Sequence, residues 1–329
     1  MTTRPRTARR RAPKSPAPAS VPAPTGGFPL AGTDLVHPPL GFGIWALGRW
    51  TREDEDRTRA TLDHALSRGV RWVDTAEVYG NGRSERLLGN ALAAMDPAAP
   101  PPFISTKVSW EHLRPSQVRA SLLGSLQRLG RRQVDLYLVH APDPQTPIPE
   151  TMGALETLWE EKRTRSIGVS NFSLEELDSA REALDTTKVV VNQVRYNLLE
   201  REDAEPILDY CRQHGILIEA YTPLGRGLLA GRYLNGGPIP AEVRRFAPSI
   251  FEKEHLPETL RRARALRDLA VKAGVPEESI ALHWLARQGV VPLFGASRPE
   301  QVDAVLAAWA VRPPDDVLDR ADEIGRTGP

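Results

Sequence analysis

The chain of 329 residues holds a single cysteine, Cys211, so no intrachain disulfide can staple it, which is the usage expected of a reducing cytoplasm. No apolar run approaches the roughly 18 residues that a membrane-spanning helix needs, so no membrane partner is expected. The 7 histidines show no close ligand spacing, and a lone thiol completes no zinc set; no metal is expected. A formal net charge of +1 is too small for a nucleic-acid surface. That charge is unevenly spread. Arg4, Arg6, Arg9, Arg10, Arg11 and Lys14 precede the first acid, Asp34, which leaves the body slightly acidic, with mixed charges suited to solvated helix faces. The same opening carries Pro5, Pro13, Pro16, Pro18, Pro22, Pro24 and Pro29 but only two serines. Proline that dense forbids a regular helix, and a transit peptide would be richer in serine. Residues 1–33 are therefore expected to be a disordered tail, and residues 34–329 a single domain.

What remains is an alternation of short apolar runs with amphipathic segments. Strands are expected near 41–45, 70–73, 103–106, 134–139, 166–169, 189–192, 216–220 and 290–294, with helices between them. Thr51 followed by Asp54, and Ser173 followed by Glu176, have the spacing of capping boxes that open two of those helices. From 222 to 257 glycine and proline punctuate what is expected to be a long loop. Continuous apolar strands alternating with helices imply a parallel sheet covered by helices, and eight such units match an α/β (β/α)8 TIM barrel in one domain.

The polar residues support the same fold. Asp74, Lys107, His140, Ser170, Asn171, Gln193, Tyr221, Ser297 and Arg298 each fall at or just past the end of an expected strand. In a barrel those ends converge on one face, where catalytic sites are built. Tyr79 follows Asp74 by five residues, in a turn closed by Gly80, Asn81 and Gly82. A phenol of pKa ~10 becomes a useful proton donor when a cation stabilises its phenolate, and Lys107 is the cation at hand. Singly, a rim lysine, a core histidine and a packed tyrosine are ordinary features. Four complementary ionisable groups at three successive strand ends suit carbonyl chemistry: Tyr79 as acid, Lys107 lowering its pKa, Asp74 anchoring the ammonium, and His140 polarising the carbonyl oxygen. Past the eighth strand, Gly295, Ser297 and Arg298 open a helix whose N-terminal amides favour an anion, and the guanidinium of Arg298 suits a phosphate.

The segments 74–80 (DTAEVYG), 105–107 (STK), 135–140 (DLYLVH), 168–172 (GVSNF), 192–193 (NQ), 220–227 (AYTPLGRG) and 295–301 (GASRPEQ) resemble the aldo-keto reductase family, in order, over about residues 40 to 310. The resemblance implies an NADP-dependent enzyme of the alcohol dehydrogenase type (EC 1.1.1), cytoplasmic, a monomer or small homo-oligomer, reducing a small-molecule aldehyde or ketone with Tyr79 as proton donor. It implies Ser170, Asn171 and Gln193 holding the nicotinamide carboxamide of NADPH, Tyr221 stacking on the ring, and the loop of Thr222, Leu224 and Arg226 along the pyrophosphate. Gly295, Ser297, Arg298 and Gln301 then take the adenosine end, with Arg298 on the 2′-phosphate. Trp45, Trp50 and Trp110, with the 224–257 loop, are expected to line an apolar substrate pocket.

Three positions depart from the family pattern. Lys162 stands where a helix-ending glycine is usual, Val305 where an asparagine often meets adenine, and Ile44 where threonine is frequent. A rival reading starts from Gly41, Gly43 and Ala46, which fit the dinucleotide fingerprint G-x-G-x-x-A, although Pro38 and Pro39 shorten the strand before it. A rival of another class is an NADPH-binding barrel that acts as a redox sensor or regulatory subunit with little turnover, as some relatives of the family do.

Overall fold

A computed structural model describes residues 26–45 and 50–326. Two very short strands, β1 (Phe28–Pro29) and β2 (Val36–His37), pair antiparallel as a hairpin. The barrel strands follow: β3 (Gly41–Gly43), β4 (Trp72–Asp74), β5 (Phe103–Val108), β6 (Leu136–Val139), β7 (Ile167–Ser170), β8 (Val189–Arg195), β9 (Leu217–Tyr221) and β10 (Val290–Phe294). Each of these eight pairs in parallel with its successor, and β10 returns to β3 through Leu293 beside Gly41 and Phe294 beside Phe42. The expected (β/α)8 barrel is thus closed, in one domain.

Five helices alternate with the first strands: α1 (Arg52–Ser67), α2 (Arg83–Ala94), α3 (Pro115–Leu129), α4 (Ile148–Glu160) and α5 (Leu174–Glu182). Both expected capping boxes are present, Thr51 with Asp54 on α1 and Ser173 with Glu176 on α5. Helix α4 ends on Lys162 at φ 57, a left-handed conformation in which a Cβ is a burden, so the departure from glycine leaves a strained turn. After α6 (Glu205–Gln213) the chain departs from expectation. The segment drawn as a long loop folds into a 3-10 turn, Gly225–Ala230, and two short helices, α7 (Ala241–Phe246) and α8 (Pro248–Phe251). Leu228, Leu229, Leu234, Val243, Ile250 and Phe251 are buried in the main core, so most of its apolar side chains pack rather than line a pocket. Proline and glycine punctuate three compact turns here, not one open loop. Helices α9 (Leu256–Ala273), α10 (Glu277–Arg287), α11 (Pro299–Trp309) and α12 (Asp315–Arg326) complete the wall.

The hairpin corrects the tail boundary for the residues described. Residues 1–25 lie outside them, but Phe28–Pro29 is paired, and Leu30 and Leu35 are buried among Trp72, Phe103, Leu136 and Val291. Phe103 and Leu136 open their strands, so the hairpin covers the N-terminal mouth of the barrel. Gly41 is a strand residue whose Cβ would lie 1.9 Å from the Trp72 ring. Its missing side chain makes room for Trp72, and among the described residues the next helix begins at Arg52; the fingerprint reading of Gly41 and Gly43 therefore fails.

Side chains inside the barrel alternate along each strand, and their polarity rises from one end to the other. Phe103, Ser105 and Lys107 share a face of β5; Leu217, Glu219 and Tyr221 share one of β9; Trp72 and Asp74 share one of β4. An apolar floor therefore lies under a polar mouth.

Candidate active site

Asp74 is the last residue of β4, Lys107 the fifth residue of β5, and His140 follows β6 directly. Tyr79 stands on a turn in which its own N–H donates to the Ala76 carbonyl and Gly82 N–H donates to the Glu77 carbonyl. Lys107 is fully buried, and its ammonium donates to Asp74 Oδ2 at 2.5 Å, to the Thr75 carbonyl at 2.9 Å and toward Tyr79 Oη at 3.5 Å. Asp74 Oδ1 accepts from Ser105 Oγ at 2.8 Å and from Gln193 Nε2 at 3.2 Å. The His140 ring meets the Tyr79 ring edge-on at 5.5 Å and the Trp110 ring at 5.7 Å. The four groups expected from strand ends are thus brought together.

The electrostatics refine the expectation for the phenol. Burial pushes the Tyr79 pKa up, Lys107 pulls it down, Asp74 pushes it up again, and the net result lies above the ordinary tyrosine value. Lys107 therefore moderates a rise caused by burial and does not bring the phenol below its solution value. Burial alone would lower the Lys107 pKa, but Asp74, Tyr79 and Glu219 outweigh it, and the group stays an ammonium. Burial, and then Lys107, lower His140 to about 3, so its imidazole is neutral at any ordinary pH. Its Nδ1 is buried with no hydrogen-bond partner among the described residues.

Beside this cluster runs a second polar chain. Ser170 Oγ donates to the Gln193 carbonyl at 2.8 Å. Asn171, held at φ 61, donates from Nδ2 to the His140 carbonyl and to Ser170 Oγ, and its Oδ1 accepts from Tyr221 Oη at 2.8 Å. Both hydrogens of Gln193 Nε2 are taken as well, by Asp74 Oδ1 and by Glu219 Oε2 at 2.6 Å. The amides of Asn171 and Gln193 therefore have only acceptor capacity left, which suits a ligand that donates, such as the –NH2 of a carboxamide.

The loop after β9 is bent by left-handed residues, Thr222 (φ 55), Gly225 (φ 52), Arg226 (φ 53) and Gly227 (φ 99), and the Gly225 N–H donates back to the Thr222 carbonyl at 2.9 Å. Thr222 Oγ1 is buried there without a partner among the described residues. Leu224 packs on the core at the same turn, and its carbonyl accepts from Gly227 N–H and Leu229 N–H. The Arg226 guanidinium lies 4.8 Å from the Trp45 ring. Past β10 the expectation needs amendment. Gln301 Oε1 accepts from Ser297 N–H at 2.8 Å and from Ser297 Oγ at 3.2 Å, so this backbone donor already has a partner. Gly295 and Arg298 are exposed, and Arg298 is the N-cap residue of α11, with no side-chain cap hydrogen bond. Val305 is buried in the core side of α11.

The three tryptophans divide. Trp45 lies 6.5 Å from the Tyr79 ring and Trp110, 45% exposed, borders His140, so both flank the cluster. The Trp50 ring packs on the turn after Tyr79, where a Cβ on Gly80 would come within 2.5 Å of it. Two residues were not singled out from the sequence, Glu219 and His37. The available signal was an acid in the middle of an apolar strand and a histidine just before paired prolines.

Comparison with known proteins agrees with this geometry. Residues 39–326 match the Aldo/keto reductase family. The NADH-specific methylglyoxal reductase of Escherichia coli (strain K12) is 29% identical over 310 residues, 85% of this chain and 92% of that protein. Among solved structures, the glycerol dehydrogenase AKR11B4 of Gluconobacter oxydans aligns with a TM-score of 0.80 at 31% identity, over 94% of this chain and 98% of that one. An aldo/keto reductase from Klebsiella pneumoniae, solved with NADP and acetate, aligns with a TM-score of 0.70 at 26% identity, over 87% and 91% of the two chains. With a family match over most of its length and a closed barrel that gathers Asp74, Tyr79, Lys107 and His140 at one mouth, the chain belongs to the aldo/keto reductase family.

Proposed function

We propose that the protein reduces an aldehyde or ketone to an alcohol with NADPH, Tyr79 supplying the proton. The observation that carries this reading is the buried Lys107, bonded to Asp74 at 2.5 Å and reaching Tyr79 Oη at 3.5 Å beside the His140 ring. A phenol whose pKa lies above its ordinary value is fully protonated at neutral pH, so the proton is present when it is needed. An alkoxide forming at a carbonyl is far more basic than a phenolate, and the transfer runs downhill toward it. Lys107 then stands as the counter-charge to the phenolate left behind, and Asp74 keeps that ammonium in place. His140, neutral because of burial and Lys107, offers an N–H to the carbonyl oxygen and orients it without competing for the proton.

The residues present fit a nicotinamide cofactor. Asn171 and Gln193 have only acceptors to offer, and Thr222 Oγ1 is buried without a partner among the described residues. Bound there, the cofactor would supply the hydride. Ser170, Asn171 and Gln193 would hold the carboxamide, Tyr221 would lie against the ring, and Arg298 would meet the 2′-phosphate. Trp45 and Trp110 would flank the carbonyl substrate.

The test is a cofactor-oxidation screen over aldehydes, ketones, quinones and sugar carbonyls, run beside Tyr79→Phe. The variant should bind NADPH with wild-type affinity and lose all but a trace of turnover, ~10²-fold or more for a missing general acid. Single-turnover hydride transfer near the wild-type rate in Tyr79→Phe would place the proton donor elsewhere. A wild type that binds NADPH yet turns over nothing in the panel would favour the sensor reading.

A further inference from the structure

Beneath the candidate site, in the closed interior of the barrel, sits a second pair of ionisable side chains. Glu219 and His37 are both fully buried. His37 comes from the N-terminal hairpin, with its ring against Trp72 at 4.3 Å and Phe103 at 4.8 Å. Its Nδ1 lies 2.8 Å from the Pro38 carbonyl, which can only accept, so Nδ1 carries a hydrogen. Its Nε2 lies 2.9 Å from Glu219 Oε1. A hydrogen bond bridges that second contact as well. The other Glu219 oxygen, Oε2, accepts from Gln193 Nε2 at 2.6 Å. Gln193 is thereby gripped from two sides, with Asp74 Oδ1 on its other hydrogen at 3.2 Å.

The consequence lies in the orientation of an amide. A glutamine at the mouth of a barrel can turn either its oxygen or its nitrogen toward a ligand, and the two faces have opposite hydrogen-bond sense. Two buried carboxylates on the nitrogen leave one choice. We propose that Glu219, held in place by His37, is a positioning residue that locks Gln193 with its oxygen free for the donor end of the nicotinamide carboxamide, so that the hairpin plugging the bottom of the barrel sets cofactor affinity at the top. This rests on the reading of Gln193 as part of the carboxamide seat. Glu219 also adds its negative charge to that of Asp74 around Lys107, which strengthens the same cluster.

The experiment compares Glu219→Met, which keeps the volume and removes both acceptors, with Glu219→Gln. In the latter, with neutral His37, the new amide donates to His37 Nε2 and its oxygen still accepts from Gln193, so every hydrogen bond survives. NADPH dissociation constants are measured by fluorescence, beside KM for the carbonyl, on protein whose unfolding midpoint has been recorded. Glu219→Met should weaken NADPH about tenfold or more, as for a lost hydrogen bond to a charged group, with KM for the carbonyl unchanged. Glu219→Gln should stay within about threefold of wild type. If Glu219→Met does not fold, the double replacement of His37→Leu with Glu219→Met removes both polar groups together and is read in the same way. NADPH affinity unchanged in the folded Met variant, or in the double one, overturns the proposal. So does a Glu219→Gln protein that falls as far as Glu219→Met, since charge and not orientation would then matter. The dissociation constants need no turnover, so a wild type that binds NADPH but reduces no carbonyl defeats the reductase reading and leaves this test standing; one that binds neither nicotinamide cofactor overturns both.

Discussion

Replacing Lys107 by methionine keeps the length of the side chain and removes one charge from a place that water does not reach. Lys107 and Asp74 are both buried, with their charged atoms 2.5 Å apart. At that distance and an effective dielectric of about 20 the attraction is roughly 6–7 kcal/mol, most of it offset by the desolvation of the two groups. The loss on removing one partner is set by what the other is left with. Asp74 would keep Ser105 Oγ and Gln193 Nε2 on Oδ1, while Oδ2 would face the methionine with no donor. An uncompensated buried carboxylate costs about 3–5 kcal/mol. Adding Asp74→Asn should recover much of this. The two bonds to Oδ1 can pass unchanged to the asparagine oxygen, and no charge is left behind. The double variant should lose at most about 2 kcal/mol, a coupling of at least about 2 kcal/mol between the sites. Urea unfolding of wild type, both singles and the double closes the cycle. A Lys107→Met protein that loses less than about 1 kcal/mol, or a double variant equal to the sum of its parts, would mean the pair is not buried and coupled as described.

Three other outcomes follow from the geometry. His140, neutral in the fold with a pKa of about 3 against about 6.5 unfolded, makes the unfolded chain bind the extra proton, so its contribution to stability is lost as pH falls from about 6.5 toward 3. Discounted for a ring that is partly exposed, about 1–2 kcal/mol of the stability lost between pH 7 and 4.5 should vanish in His140→Asn, and an unchanged pH dependence by chemical denaturation would defeat the assignment. Arg298→Ala should weaken NADPH by about 1.5–3 kcal/mol and NADH hardly at all, as measured by titration; equal losses would return Arg298 to a structural role. Lys162→Gly should stabilise the protein by about 1 kcal/mol by relieving the left-handed strain at φ 57, with turnover unaltered, and a lower unfolding midpoint would show that the lysine side chain holds that turn.

The barrel was legible because its signals are local. Each strand is a short apolar run, each helix has a polar face, and Thr51 and Ser173 announce their helices through side-chain chemistry that needs no tertiary partner. The four catalytic candidates were legible for a topological reason, since side chains at the ends of parallel strands converge once the sheet closes. What escaped depends on contacts between distant segments. His37 and Glu219 are 182 residues apart, and neither carries a local cue that the other exists. The hairpin was absorbed into a proline-rich tail because two-residue strands have no periodicity to read. The upward shift of the Tyr79 pKa was hidden for a related reason: a sequence names the cation beside a phenol but not the depth of its burial. Gln301 was expected on a ligand and closes on Ser297, an interaction at a spacing of four residues that resembles a cap only once the helix start is known.

The family match begins at residue 39, just after the hairpin. A chain trimmed to that boundary would look complete by homology and would still contain every strand of the barrel. It would also open a hole in the floor. Leu30, Leu35 and His37 would be gone, Trp72 and Phe103 would meet water, and Glu219 would sit at the bottom of a shaft now open at both ends. The place to shorten this protein is before residue 26, which leaves the whole plug in place.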